Sequence, residues 1–299
     1  AGVGVAAQGE LGARTGARTR LERMFARFLG TEDCVIFGMG FATNAANIPC
    51  LIGSASDSVA AEDTLIIGDQ HSHASVRAGL FLSGATFKFF KHNGKQPISN
   101  DMTAILKFFL TINFNIVVFV YIDFTDLERI LRNAIIWGNR RTARPYRKVI
   151  IIVEGVYSME GTFVDLPSLL EIKKRYKAYL YIDEAHSIGA VGHRGRGVCD
   201  YFGVDPGEID LLMGTMTKSF AAAGGYIAGP KSTIAYIRAH SAATYAGSMA
   251  APIVRQIENT LLHLMENRDA ETGGIERIDR LLANTHYMRR RLREEGFLI

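Results

Sequence analysis

Residues Tyr179–Gly225 read YLYIDEAHSIGAVGHRGRGVCDYFGVDPGEIDLLMGTMTKSFAAAGG. Two short apolar runs in this stretch each end in reactive side chains. Tyr179-Leu180-Tyr181-Ile182 leads into Asp183-Glu184-Ala185-His186, and Leu211-Leu212-Met213 leads into Gly214-Thr215-Met216-Thr217-Lys218. Apolar runs of this length read as buried strands. In a parallel α/β sheet, reactive groups sit just beyond the carboxyl ends of the strands. The pattern therefore places a carboxylate, an imidazole and a lysine at one sheet edge.

The chain on either side fits that sheet. Strands are expected at Cys34–Phe37, Thr64–Asp69, Ala85–Phe90, Lys148–Val153 and Tyr226–Gly229. The near-continuous apolar run at 148–153 reads as a central parallel strand. Helical spacing predicts helices over 20–29, around Leu169–Tyr176, and around Ile234–His240, Ile253–Met265 and Ile278–Glu295. Alternating strand and helix makes the class α/β, with a mostly parallel sheet and flanking helices. Residues 1–20, rich in Gly, Ala and Arg, read as a surface loop, and Gly296-Phe297-Leu298-Ile299 reads as the start of another strand.

Composition excludes several classes. The 299 residues are 48% hydrophobic, with a formal charge of +4. That balance suits a globular core and argues against disorder or nucleic-acid binding. Arg140-Arg141 with Arg144, and Arg289-Arg290-Arg291, read as solvated faces. Cys34, Cys50 and Cys199 lack metal-ligand spacing and point to a reducing compartment. The chain carries no targeting segment and reads as a fragment. Met102–Phe124 is long enough to span a bilayer, but it carries Lys107, Asn113, Asn115 and Asp123 and interrupts the α/β pattern. It reads instead as an insertion over about 94–126, non-native to the domain.

The chemistry narrows from there. A lysine that forms a Schiff base and a carboxylate that partners a pyridinium nitrogen are what a pyridoxal phosphate enzyme needs. Gly38-Met39-Gly40-Phe41, between a strand and a helix, can offer backbone N–H groups to a phosphate. His71-Ser72-His73 could hold zinc or stack on a cofactor ring; no third ligand stands nearby, so no metal is expected. A helicase reading of Asp183-Glu184-Ala185-His186 needs an upstream G-x-x-x-x-G-K-[ST] loop, which the sequence lacks.

Six motifs carry a resemblance. They are GMGFATNAANIP at 38–49, HAS at 73–75, LSGATFKFFKHN at 82–93, EGVYSMEG at 154–161, YKAYLYIDEAHSIGAVGHRGRGV at 176–198, and MGTMTKSF with GGYIAG across 213–229. The sequence resembles the α-oxoamine synthases, fold type I pyridoxal phosphate enzymes, and is most similar to the serine palmitoyltransferase branch, lysine-bearing subunit. The resemblance implies the aspartate aminotransferase-like large domain over 1–295, interrupted at about 94–126. A small C-terminal domain would be truncated at 296–299.

It implies catalytic roles for Lys218 as the Schiff-base lysine, Asp183 at the pyridine nitrogen and His73 on the ring face. Gly40 and Phe41 (through backbone amides), Thr215 and Thr217 would hold the phosphate, and His186 and Ser158 would lie near the ring hydroxyl and substrate. The implied reaction is decarboxylative condensation of L-serine with a long-chain acyl-CoA to 3-ketosphinganine, the first step of sphingolipid biosynthesis. Glycine- or alanine-using sister chemistry and an inactive or regulatory subunit are the alternatives. The implied setting is a heterodimer with a lysine-less homologous subunit, or a homodimer, in a membrane-associated complex at the cytosolic face of the endoplasmic reticulum. Departures from the family pattern are Gly247, His71-Ser72, and the absence of a His around 17–20.

Overall fold

A computed structural model of the chain describes residues 16–53, 61–92, 124–245, 249–266 and 274–297. Nine strands occur among them: β1 (Asp33–Phe37), β2 (Thr64–Asp69), β3 (Thr86–Phe90), β4 (Lys148–Glu154), β5 (Val156–Tyr157), β6 (Thr162–Phe163), β7 (Tyr179–Asp183), β8 (Leu211–Thr215) and β9 (Gly225–Gly229). Seven of these form one sheet in the order β1-β9-β8-β7-β4-β2-β3. The block from β8 to β3 is parallel, while β9 runs antiparallel to both β8 and β1. The short β5–β6 hairpin stands apart.

Helices α1 (Gly16–Leu29), α2 (Gly40–Cys50), α3 (Ala74–Leu82), α4 (Phe124–Trp137), α5 (Leu166–Tyr176), α6 (Val198–Phe202), α7 (Lys231–His240), α8 (Ala251–Glu266) and α9 (Gly274–Glu294) flank the sheet. Alternation along the strands sorts them into layers. Ile151 and Val153 of β4, with Leu180 and Ile182 of β7, pack on Leu127, Ile130 and Leu131 of α4 and Leu169 of α5. Ile150, Ile152 and Tyr181 point the other way, onto Ile48 of α2, Val76 and Leu80 of α3 and Ile234 of α7. Leu21, Phe25 and Phe28 of α1 join Ile257 and Leu261 of α8 around Tyr226 and Phe220. Both faces of the central strands are covered, as an α/β sheet requires.

Three expectations are corrected at element ends. Helix α1 begins at Gly16, so residues 16–20 are helical rather than loop. Their arginines are tied into the fold: Arg18 bonds Glu22 at 3.3 Å and Arg20 bonds Glu258 at 2.6 Å. Residues 124–126, expected within the insertion, are helical, because α4 starts at Phe124. The buried Asp126 carboxylate accepts the Lys91 backbone N–H at 2.9 Å, closing α4 onto the end of β3. Gly296 and Phe297 are not strand. They terminate α9, with Gly296 at φ +87° and the Phe297 N–H donating to the Leu292 carbonyl at 3.0 Å. The remainder of the expected insertion, residues 1–15, Gly247, Leu298 and Ile299 lie outside the described residues. Cys34, Cys50 and Cys199 are buried free thiols.

Candidate active site

Adjacent parallel strands bring their carboxyl ends into line. In the register, Asp183 of β7 lies beside Glu154, the last residue of β4, and beside Met213 of β8. Three residues beyond β8, Lys218 sits in the turn that returns the chain to β9. A cavity of about 290 Å³ opens there. Asp183, His186, Thr215, Thr217, Lys218, His73, Gly40 and Phe41 all line it. Of the expected site residues only Ser158 is absent from its walls. It stands on the exposed turn of the β5–β6 hairpin.

Asp183 is fully buried, and each carboxylate oxygen has its own donor. Asn44 Nδ2 donates to one at 2.7 Å, and the Ala185 backbone N–H to the other at 2.9 Å. Burial raises the Asp183 pKa, while the Asn44 and Ala185 bonds, Lys218 and His73 pull it back. Asn44 is itself oriented by the Tyr181 hydroxyl, which donates to its Oδ1 at 2.7 Å. Burial lowers the Lys218 pKa below the usual lysine range, opposed by Asp183 and Glu154. Burial also lowers the His186 pKa to about 4, with Lys218 and His73 adding to it, so the ring is neutral near pH 7.

His73 caps α3. Its Nδ1 lies 2.8 Å from Ser75 Oγ, and its backbone N–H donates to Glu154 Oε1 at 2.5 Å. Burial, with Asp183 adding to it, pushes Glu154 up to about 8. The other histidine of the pair goes elsewhere. His71 bonds Glu160 at 2.7 Å and stacks on His92, ring centroids 4.5 Å apart. Glu184 likewise leaves the cavity, accepting the Val198 backbone N–H at 3.0 Å at the start of α6.

The opposite wall has the features of an anion site. Met39, the N-cap of α2, makes no side-chain capping bond, so the first amides of the helix are left for a ligand. Gly40 keeps this wall open: a Cβ there would lie 2.5 Å from Thr215 Oγ1 and 3.3 Å from the Gly224 carbonyl. Thr215 Oγ1 donates to that carbonyl at 3.1 Å and lies 2.9 Å from Thr217 Oγ1. A dianionic phosphate fits such an arrangement of amides and hydroxyls, and an aromatic ring nitrogen fits the buried Asp183.

Asn44, Ser75 and Glu154 are site residues that the motif reading missed. Asn44 was findable, since it stands one helical turn from Gly40 and so on the same face. Glu154 ends a strand just as Asp183 does. A second cavity, about 420 Å³, shares Ala185, His186 and Lys218 with the first and is walled by Ile188, Leu264, Ile278 and Leu281.

With this geometry in view, the profile of the aminotransferase class I and II family matches residues 12–299. The chain belongs to that family. Among curated members of similar sequence, human serine palmitoyltransferase 3 is 48% identical over 280 residues, 93% of this chain and 44% of that protein. Serine palmitoyltransferase 2 of Caenorhabditis elegans is 45% identical over 286 residues, 96% of this chain and 45% of that protein. The chain thus spans less than half the length of these two relatives. A solved structure of serine palmitoyltransferase with a pyridoxal phosphate internal aldimine superposes with a TM-score of 0.76 at 24% identity, covering 99% of this chain and 61% of that one. This aminotransferase-family chain accordingly has the pyridoxal phosphate-dependent, aminotransferase-like fold, a mostly parallel sheet with flanking helices.

Proposed function

We propose that this chain forms the cofactor-binding part of a pyridoxal phosphate-dependent acyltransferase that condenses L-serine with a long-chain acyl-CoA, releasing CoA and carbon dioxide and giving 3-ketosphinganine. One observation carries the reading. Lys218 and a buried Asp183 line one cavity that also contains an uncapped helix N-terminus. The serine palmitoyltransferase identity of the similar proteins supports the substrate choice.

In this reading Lys218 would hold the cofactor, Asp183 would serve its ring nitrogen, His73 would serve its ring, and Gly40, Phe41, Thr215 and Thr217 would hold its phosphate. The bound group supplies an electron sink for the pair left at an amino-acid α-carbon. Burial keeps the Lys218 amine closer to its neutral form, the form able to bond carbon or take a proton. Asn44 and the Ala185 amide favour the ionised form of Asp183, and that carboxylate favours a proton on a facing nitrogen. Neutral His186 offers a hydrogen bond at the boundary between the two cavities. The apolar walls of the larger cavity suit the acyl portion of a thioester. Ser158 would act only if a partner or a further domain covered its exposed turn.

The same reading makes residues 1–295 one large domain, places a small domain after it, and pairs the chain with a homologous subunit at the endoplasmic reticulum membrane. The test is chemical. Borohydride reduction of the chain with pyridoxal phosphate should fix the cofactor on the peptide containing Lys218, as located by mass mapping, and Lys218→Ala should abolish the adduct. An adduct on other lysines only would overturn the assignment.

A further inference from the structure

Helix α4 ends in Ile135-Ile136-Trp137, whose side chains are 61–67% exposed. The next turn, residues 138–147, carries exposed Arg140, Arg141, Arg144 and Arg147. This turn is built, not trailing. Gly138 and Ala143 adopt φ +57° and +56°, the Asn139 N–H donates to the Arg144 carbonyl at 2.8 Å, and the Asn139 side chain donates to the Glu62 carbonyl at 2.7 Å. Arg141 pairs with Glu62 at 2.5 Å. Among the described residues, Arg140, Arg144 and Arg147 make no side-chain ion pair. Three unpaired guanidinium groups thus flank three exposed apolar side chains on an ordered corner.

We propose that this corner is a peripheral docking surface for an anionic bilayer. Ile135, Ile136 and Trp137 enter the headgroup boundary while Arg140, Arg144 and Arg147 engage lipid phosphates. An apolar patch alone would fit many protein partners. Trp beside unpaired Arg favours the membrane interface, where an amphipathic ring sits at headgroup level and a basic cluster meets negative surface potential. The depth of contact is shallow, as for a surface-lying element, and no described helix is long and apolar enough to cross a membrane. The turn leads into β4, so the corner lies at the amino edge of the parallel strands. The cavity lies at their carboxyl edge, about 20 Å away over the length of a seven-residue strand. Docking would therefore leave the mouth of the site free, and the inference does not rest on the chemistry at Lys218.

Trp137 is the single tryptophan in the sequence, so intrinsic emission reports this corner alone. The chain should show blue-shifted emission, quenched by brominated acyl chains, with vesicles of mixed phosphatidylcholine and phosphatidylserine but not with phosphatidylcholine alone. Salt should reverse it. Replacing Arg140, Arg144 and Arg147 together by Gln should weaken binding by about a hundredfold while leaving the reporter in place. Ile135→Asn with Ile136→Asn should reduce the blue shift independently. Unchanged emission with anionic vesicles would overturn the proposal. So would equal binding to neutral vesicles, or an emission shift that grows with protein concentration without lipid, which would mark a protein contact.

Discussion

Asn44 Nδ2 donates to Asp183 Oδ2 across 2.7 Å, joining helix α2 to the end of β7 inside the cavity. Through this bond the element that offers backbone amides also fixes the buried carboxylate. Tyr181 completes the chain by donating to Asn44. Removing Asn44 would leave two buried oxygens without their partner.

Asn44→Leu should therefore destabilise the fold by about 1–3 kcal/mol, the cost of stranded buried polar groups. Urea denaturation measures it. Adding Tyr181→Phe should cost less than the sum of the two single changes, because the hydroxyl has already lost its acceptor. Strict additivity would mean that the three side chains do not act as a network.

Glu154 should make stability depend on pH. Its folded pKa is raised from 4.5 to about 8, chiefly by burial. The folded state then keeps a proton that the unfolded state has released, so stability is full below about 4.5 and falls as pH rises to about 8. The loss is up to roughly 5 kcal/mol. Glu154→Gln should flatten this slope while still accepting the His73 N–H. Asp183→Asn should move the transition to lower pH, since Asp183 adds to the shift.

Gly40→Ala should close the cradle. Its Cβ would meet Thr215 Oγ1 at 2.5 Å, and the overpacking should cost about 1–3 kcal/mol. Pyridoxal phosphate titration should show a larger loss of affinity than of stability. Thr215→Ser, which keeps the hydroxyl, should retain most of the affinity. Equal cofactor binding by wild type and Gly40→Ala would mean that the phosphate sits elsewhere.

Residues 94–123 should be replaceable by a short Gly-Ser linker without loss of the domain, because the Lys91–Asp126 bond brings the flanking ends together. Thermal denaturation of the linker variant should match or exceed wild type. Asp126→Ala in that background should lower stability by about 1–2 kcal/mol. Collapse of the linker variant would show that the segment belongs to the fold.

Sequence by itself determined most strands of the sheet and pointed to part of the candidate site. Apolar runs of four to seven residues ending in Asp183, Thr215 and Glu154 could be read as strands because burial on both faces leaves little choice of residue. Asp183 and Lys218 were legible because one ends a strand and the other stands three residues beyond one, whereas His73 was singled out only by the family resemblance. The ends of elements were less legible. Gly16–Arg20 and Phe124–Asp126 are held by contacts distant in the chain, with Glu258 and Lys91, that no local pattern carries.

Only tertiary structure decided which polar groups share the cavity. Asn44 meets Asp183 139 positions away in sequence, and His73 meets Glu154 81 away. Such pairs are set by helix packing and strand register, so neither partner marks the other locally. The same packing sent His71 and Glu184 out of the cavity and left Ser158 on an exposed turn. A motif names residue types in order, whereas a site selects those whose side chains the fold turns inward.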